Sequence, residues 1–121
     1  MATHNDLGHW GERKAAEYLE RKGLRIVERN WRDGSRDIDI VAVDADTLVI
    51  VEVKTRRNKV FAEPETAVGI NKIRNICTVA GKYVKLKCID LPVRFDIVTI
   101  TGTDDDNCEA VHIEDAFMPM P

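Results

Sequence analysis

Between Arg36 and Lys54 charged residues interrupt two runs of β-forming residues, and that conflict constrains the fold more than any other feature of the chain. The segment is RDIDIVAVDADTLVIVEVK. Asp37 to Val43 and Leu48 to Lys54 are rich in Ile and Val, and Asp44-Ala45-Asp46-Thr47 supplies turn-forming side chains. A two-residue loop at Ala45-Asp46 predicts a β-hairpin in which Val43 faces Leu48, Val41 faces Ile50, Asp39 faces Glu52 and Asp37 faces Lys54, all on one side. Ile38, Ile40 and Ala42 would share the other side with Val49, Val51 and Val53. Both sides are apolar, so the hairpin belongs in the middle of a sheet covered on each face.

Opposed carboxylates about 5 Å apart at Cβ repel each other, so Asp39 and Glu52 need a compensating charge. Lys54, two residues beyond Glu52 on the same side, can close a local cluster with Asp37 and Asp39. A divalent cation is the other answer, because Mg²⁺ is commonly held by one or two carboxylates, with water and phosphate completing its shell. The residues alone leave both open.

The rest of the chain alternates helix and strand patterns. Asn5 or Asp6 is placed to cap a helix running to about Lys22, with Gly23 as its stop. Ala15, Ala16 and Leu19 form its apolar stripe, and Glu12 falls in the middle of that stripe. An inward-facing acid wants a partner. It either reaches water at the helix start or points toward the hairpin. Leu24 to Trp31 is expected as a strand, with a turn at Asp33-Gly34-Ser35. Thr55 to Glu65 has no sustained period and is expected as a loop, placed to act as a substrate-contacting flap; Phe61 in it either joins the core or stacks on a base. A second helix is expected from Glu65 or Ile70 to Leu86, buried through Ile73, Ile76, Cys77, Ala80, Tyr83 and Val84, with Lys72 flanking that stripe. Val93 to Thr101 and Glu109 to Ile113 are strands, the second at an edge, with a turn at residues 103–107. Asp96 is expected to be structural, paired with Arg94 or a helix residue.

At 121 residues the chain suits one domain with a single core. No apolar run reaches the roughly 18 residues of a membrane span, and the first residues lack a signal-peptide core, so a cytoplasmic protein without membrane attachment is expected. Cys77, Cys88 and Cys108 are widely spaced and suit reduced thiols. The formal net charge is -3, but Lys54 to Lys87 holds nine Lys or Arg against Glu63 and Glu65, a local balance of +7. Such a segment can track a phosphate backbone. Arg56 and Arg57, beside the carboxylates, are the best candidates for nucleic-acid contact, whereas Lys82, Lys85 and Lys87 suit a solvated helix face.

Asp39 followed by Glu52-Val53-Lys54 resembles the D…(D/E)-X-K signature of the restriction-endonuclease-like, or PD-(D/E)XK, nuclease superfamily. Gly11-Glu12, Ala15-Ala16, Tyr18-Leu19, Gly23, Arg29-Asn30, Asp37-Ile38-Asp39, Val51 to Arg56, Lys72 and Arg94-Phe95-Asp96 follow the order seen in small bacterial YraN-like proteins, a family similar in pattern to archaeal Holliday-junction resolvases. The resemblance covers residues 8–117. Pattern alone gives α/β or α+β. The resemblance implies α/β, a mixed central sheet flanked by helices, with an αβββαβ core and one added C-terminal edge strand.

It also implies a metal-dependent nuclease that hydrolyses phosphodiester bonds, in DNA rather than RNA, with branched, repair or recombination intermediates as candidate substrates. Asp39 and Glu52 would hold Mg²⁺ or Mn²⁺, with the backbone carbonyl of Val53 and, directly or through water, Glu12. Lys54 would orient or deprotonate the attacking water, or stabilise charge on the phosphate. Lys72 would contribute to the site or to phosphate binding, and resolvase-like relatives suggest a homodimer. The family usually has Gly-Glu where this chain has Arg36-Asp37, which puts a cation beside the acidic cluster. The rival expectation is a non-catalytic nucleic-acid-binding or assembly protein that keeps the nuclease scaffold.

Overall fold

The computed structural model describes residues 4–58 and 69–118, which form elements in the expected order: α1 (His4–Arg21), β1 (Arg25–Asp33), β2 (Arg36–Asp44), β3 (Thr47–Arg56), α2 (Ile70–Leu86), β4 (Val93–Gly102) and β5 (Cys108–Ile113). The strands lie side by side in chain order in one mixed sheet. All neighbours are antiparallel except β3 and β4, which are parallel, with α2 between them in sequence. Parallel neighbours require a crossover connection, and a helix normally supplies it. The fold is therefore α/β with two helices, consistent with a restriction-endonuclease-like core, and β5 is the added edge strand. Among the described residues no helix is long and apolar enough to cross a membrane.

The hairpin register is the one the sequence requires, from Asp44 opposite Thr47 through Val43–Leu48 and Val41–Ile50 to Ile40 opposite Val51. Both faces are covered. Ala15, Ala16 and Leu19 of α1 pack with Ile40, Ala42, Val49 and Val51. On the other face Ile76, Val79, Ala80 and Tyr83 of α2 pack with Val41, Leu48, Ile50 and Phe95.

Several boundaries differ from expectation. Helix α1 begins at His4, so Asn5 and Asp6 lie in its first turn instead of capping it. β1 extends to Asp33, beyond Trp31. Thr55 and Arg56 extend β3, where parallel pairing with Ile100 and Thr101 overrides their loop-like composition. The rest of the expected flap, including Phe61 and the alternative helix start at Glu65, lies largely outside the described residues. Val79, absent from the expected stripe of α2, is wholly buried. Ile38 packs with Trp31 and the α2 cluster, whereas Ile40 joins the α1 cluster. Strict alternation fails between them, at Asp39.

The C-terminus of α1 ends as its glycine requires. Gly23 has φ +99° and donates to Glu20, while Leu24 donates back to Leu19. That is a Schellman closure, with buried Leu19 and Leu24 as its apolar contact. Near the other end, Gly11 lies directly against β3. A Cβ at position 11 would overlap the Thr55 side chain, including its Cβ. Rotation of Thr55 cannot relieve a clash at Cβ, so the approach that brings α1 onto the sheet depends on glycine here.

Asp96 is structural, as expected. It is fully buried and accepts hydrogen bonds from Arg94 Nε at 2.9 Å and Nη2 at 3.0 Å, His112 Nε2 at 2.7 Å and the Asp115 amide at 2.9 Å. Arg94 also reaches Asp44 at 3.1 Å. Burial opposes the charge on Asp96, but the donors from His112, Arg94 and Asp115 outweigh it and hold its carboxyl below the usual range.

Overpacking of this kind costs ~1–3 kcal/mol, so Gly11→Ala should lower stability by that amount. In a double-mutant cycle by urea unfolding, Thr55→Gly should recover part of the loss; strict additivity would show that the two positions do not press on each other. Asp96→Asn should cost ~3–5 kcal/mol at neutral pH, since it leaves a buried cation uncompensated. A folded-state pKa below the unfolded one adds stability that is complete above about pH 4 and fades as the pH falls through the depressed value. The wild-type advantage over Asp96→Asn should therefore shrink in acid. Equal urea midpoints at neutral pH would refute the assignment.

Candidate functional site

The paired register of the hairpin runs no further than Ile40 and Val51. Hydrogen-bonded pairs alternate along an antiparallel ladder, and the next amide in line, that of Val53, would donate toward Ile38. It donates instead to Asp39 Oδ2, at 2.9 Å. The carboxylate thus takes the place of a backbone acceptor, and β2 and β3 part where their acidic residues lie. The expected backbone pairings of Asp39 with Glu52 and of Asp37 with Lys54 fall beyond the ladder.

The opening is a hollow of about 260 Å³. Asp37 and Asp39 line it from β2, Glu52, Val53 and Thr55 from β3, Leu7, Gly8 and Glu12 from α1, and Lys72 from α2. Three of the four residues expected to be catalytic, Glu12, Asp39 and Glu52, meet here. Lys54, half-buried one residue beyond Val53, is not part of the lining. The lysine of the hollow is Lys72, whose Nζ lies 3.3 Å from Glu52 Oε2.

Electrostatics follow from this crowding. Burial, then a hydrogen bond and charge repulsion from Asp39, push the Glu52 carboxyl up to about 9, and Lys72 opposes them. Glu52 therefore keeps its proton well above the usual carboxylate range. Burial lowers the Lys72 pKa, but the charges of Glu52, Asp39 and Asp37 outweigh it and raise the pKa overall. Glu12 is also raised, first by burial and then by Asp39, with a hydrogen bond from Asn30 acting the other way. Its Oε1 is buried and has no hydrogen-bond partner. An orphaned acceptor of that kind is costly unless something is to occupy the space before it.

Among the described residues no three His, Cys, Asp or Glu side chains are drawn close enough to hold a metal ion by themselves. The arrangement suits a looser site. Asp39 crowds Glu52 and raises its pKa, an ammonium lies against Glu52, and Glu12 presents an unsatisfied oxygen. Such an oxygen-only set matches a small hard cation that keeps part of its water, as Mg²⁺ and Mn²⁺ do, and disfavours zinc or copper.

The flanking cations are placed differently. Arg56 turns to β4 and donates from Nε to Thr101 Oγ1 at 2.9 Å. Arg57 is exposed just past the end of β3. Arg36, which the sequence put beside the acidic cluster, donates from Nε to Asn75 of α2 at 3.2 Å, so it leans away along the helix.

Asn30 was not foreseen as a site residue. It has φ +52°, sits on β1 across from Asp39, and its side chain bonds Glu12. Asn is one of the few residues that adopt left-handed backbone readily, so an Asn inside a strand pattern was the available signal. Leu7, Gly8 and Thr55 gave none, because their place in the wall depends on how α1 packs against β3.

The family model described as "Uncharacterised protein family UPF0102" matches residues 11–100. A UPF0102 protein of Bacteroides thetaiotaomicron is 51% identical over 119 residues, covering 98% of each chain. A relative from Porphyromonas gingivalis is 44% identical over 97% of this chain and 87% of its own, and one from Flavobacterium psychrophilum 41% identical over 97% and 98%. Each is named only as a UPF0102 protein. The chain belongs to this family, UPF0102 or YraN.

Proposed function

We propose that the chain is a Mg²⁺- or Mn²⁺-dependent nuclease that hydrolyses phosphodiester bonds, in DNA rather than RNA. The observation that carries this reading is the buried, unpartnered Oε1 of Glu12 in the same hollow as Asp39 and Glu52. A protein that only bound a polyanion would gain nothing from three half-buried acids in its wall.

Asp39 and Glu52 would hold the ion, with the Val53 carbonyl and, through water, Glu12. Bound there, Mg²⁺ or Mn²⁺ supplies Lewis acidity at the phosphoryl oxygen and lowers the pKa of water. Glu12, its pKa raised by burial and by Asp39, would take a proton from water approaching Oε1. The Val53–Asp39 hydrogen bond fixes the Asp39 carboxylate by tying it to a strand. Lys72, at the mouth and already bound to a carboxylate, can move its charge to an incoming phosphate. Lys54, in the strand beside them, adds positive potential, and Arg57 at the strand end is placed to meet the flanking backbone.

The salt bridge between Lys72 and Glu52 also supports a second reading, in which the ammonium settles the acidic pair permanently and the scaffold binds nucleic acid without cutting it. Nicking assays with Mg²⁺ and Mn²⁺ on linear, branched and flap DNA separate the two. Glu52→Gln and Asp39→Asn should lower the rate by on the order of a hundredfold or more, as loss of transition-state charge stabilisation does elsewhere. If the wild type is no faster than Glu52→Gln on every substrate, the nuclease reading fails.

A second test uses stability. The folded protein holds a proton on Glu52 up to about pH 9, whereas the unfolded chain releases it near 4.5. Stability from this group therefore falls as the pH rises through that window, by at most about 1.4 kcal/mol per pH unit. Glu52→Gln should flatten that slope. Because an ion must displace the proton, Mn²⁺ should raise the melting temperature of the wild type more at pH 8 than at pH 6. An equal Mn²⁺ shift in Glu52→Gln would rule out binding through Glu52.

A further inference from the structure

A second hollow, of about 610 Å³ with mostly apolar walls, opens between the β1–β2 turn and the C-terminal half of α2. Trp31, Arg32 and Asp33 line it on one side, and Lys82, Lys85 and Leu86 on the other. Its size falls within the roughly 300–1,000 Å³ typical of small-ligand sites. Two of its residues are large and apolar. Leu86 of α2 is 69% exposed, and Trp31 of β1 is half-buried, packed edge-to-face against Tyr83 with centroids 5.2 Å apart and planes at 82°. The charge is one-sided: three cations face one carboxylate, Asp33, which Lys82 binds at 2.7 Å. Apolar surface for bases beside cations for phosphates is the chemistry of a single-strand platform.

This hollow is joined to the acidic one by a single helix. Lys72 contacts Glu52 at the start of α2, Asn75 contacts Arg36 at the head of β2, and Lys82 contacts Asp33 at the end of β1. From Lys72 to Lys82 and Lys85 is ten to thirteen residues. At about 1.5 Å per residue that is roughly 15–20 Å along the helix. An unpaired strand can extend beyond the roughly 3.4 Å per nucleotide of a duplex strand, so the span takes no more than about five nucleotides.

Building on the nuclease reading of the acidic site, we propose that this groove binds an unpaired stretch of the same nucleic-acid strand, no more than about five nucleotides from the scissile phosphate. Bases rest on Trp31 and Leu86, and Arg32 and Lys85 take the phosphates. The partner is then a strand that is single-stranded on one side of the cut, as at a flap or a branch, and the lysines late in α2 serve recognition as well as solubility.

Oligothymidylates of three and eight nucleotides test this, with binding read by fluorescence anisotropy in EDTA so that no hydrolysis intervenes. The eight-mer should bind roughly tenfold more tightly than the three-mer, because only it reaches from the groove to Lys72 at the start of α2. Arg32→Glu and Lys85→Glu should each weaken eight-mer binding by roughly tenfold and reduce the salt dependence by about one phosphate contact. The eight-mer should also shift the indole N–H resonance of Trp31 in the wild-type protein. Unchanged eight-mer affinity in both charge reversals, or an unmoved Trp31 resonance, overturns the proposal. So does a concentration-dependent dimer that Leu86→Glu abolishes, which would assign the groove to a second copy of the chain. Failure of the nuclease reading is distinguishable: the eight-mer would bind with these signatures, yet Mn²⁺ would produce no cleavage.

Discussion

The hydrogen bond from the Val53 amide to the Asp39 carboxylate is the interaction on which the rest depends. A β-ladder ordinarily closes on itself, and a buried amide that loses its partner carries a penalty of a few kcal/mol. Here the amide is satisfied by a side chain, so β2 can turn away from β3 without leaving an orphan donor. The parting creates a hollow in the middle of a sheet whose other residues are packed on both faces. It also explains why alternation breaks at Asp39: Ile38 goes to the α2 side, Ile40 to the α1 side, and the carboxylate lies at the crossover.

Helix positions then determine which groups reach that hollow. Gly11 lets α1 come close enough to Thr55 for Glu12, the next residue, to enter from one side. The crossover from β3 to β4 carries α2 over the other face and brings Lys72 to Glu52. One glycine and one parallel strand connection therefore place an acid and a base on opposite sides of the same opening. The Schellman closure at Gly23 and the buried Asp96 network hold the remote ends of the layer together, so the site end can carry unfavourable charge.

That charge is stored rather than neutralised. Burial and Asp39 raise the pKa of Glu52, Lys72 offsets part of that, and Glu12 keeps a buried oxygen without a donor. In a purely structural cluster these deficits would be met by a second basic residue or by apolar replacement, either of which is less costly. Crowded acids with raised pKa values in a concave opening are the feature on which the proposed cation site rests.

Much of this was legible in the residues. The Ile and Val runs around Asp44-Ala45-Asp46-Thr47 determined the hairpin, and its two-residue turn determined the register. Asp39, Glu52 and Glu12 stood out as charges on apolar faces, and Gly23 marked the end of α1. Other features required the folded chain. Glu12 and Lys72 lie 27 and 33 residues from Asp39 in sequence, and no local period shows that two helices on opposite faces converge on it. The choice of Lys72 as the lysine lining the hollow was decided by the path of α2, as was the turn of Arg36 toward Asn75. The sequence by itself determined the strands, their pairing and the residues too charged for their surroundings, since those follow from short-range periodicity and the cost of burial. Only the tertiary structure decided which of those charges share one opening, because that depends on the packing distance and direction of elements far apart in the chain.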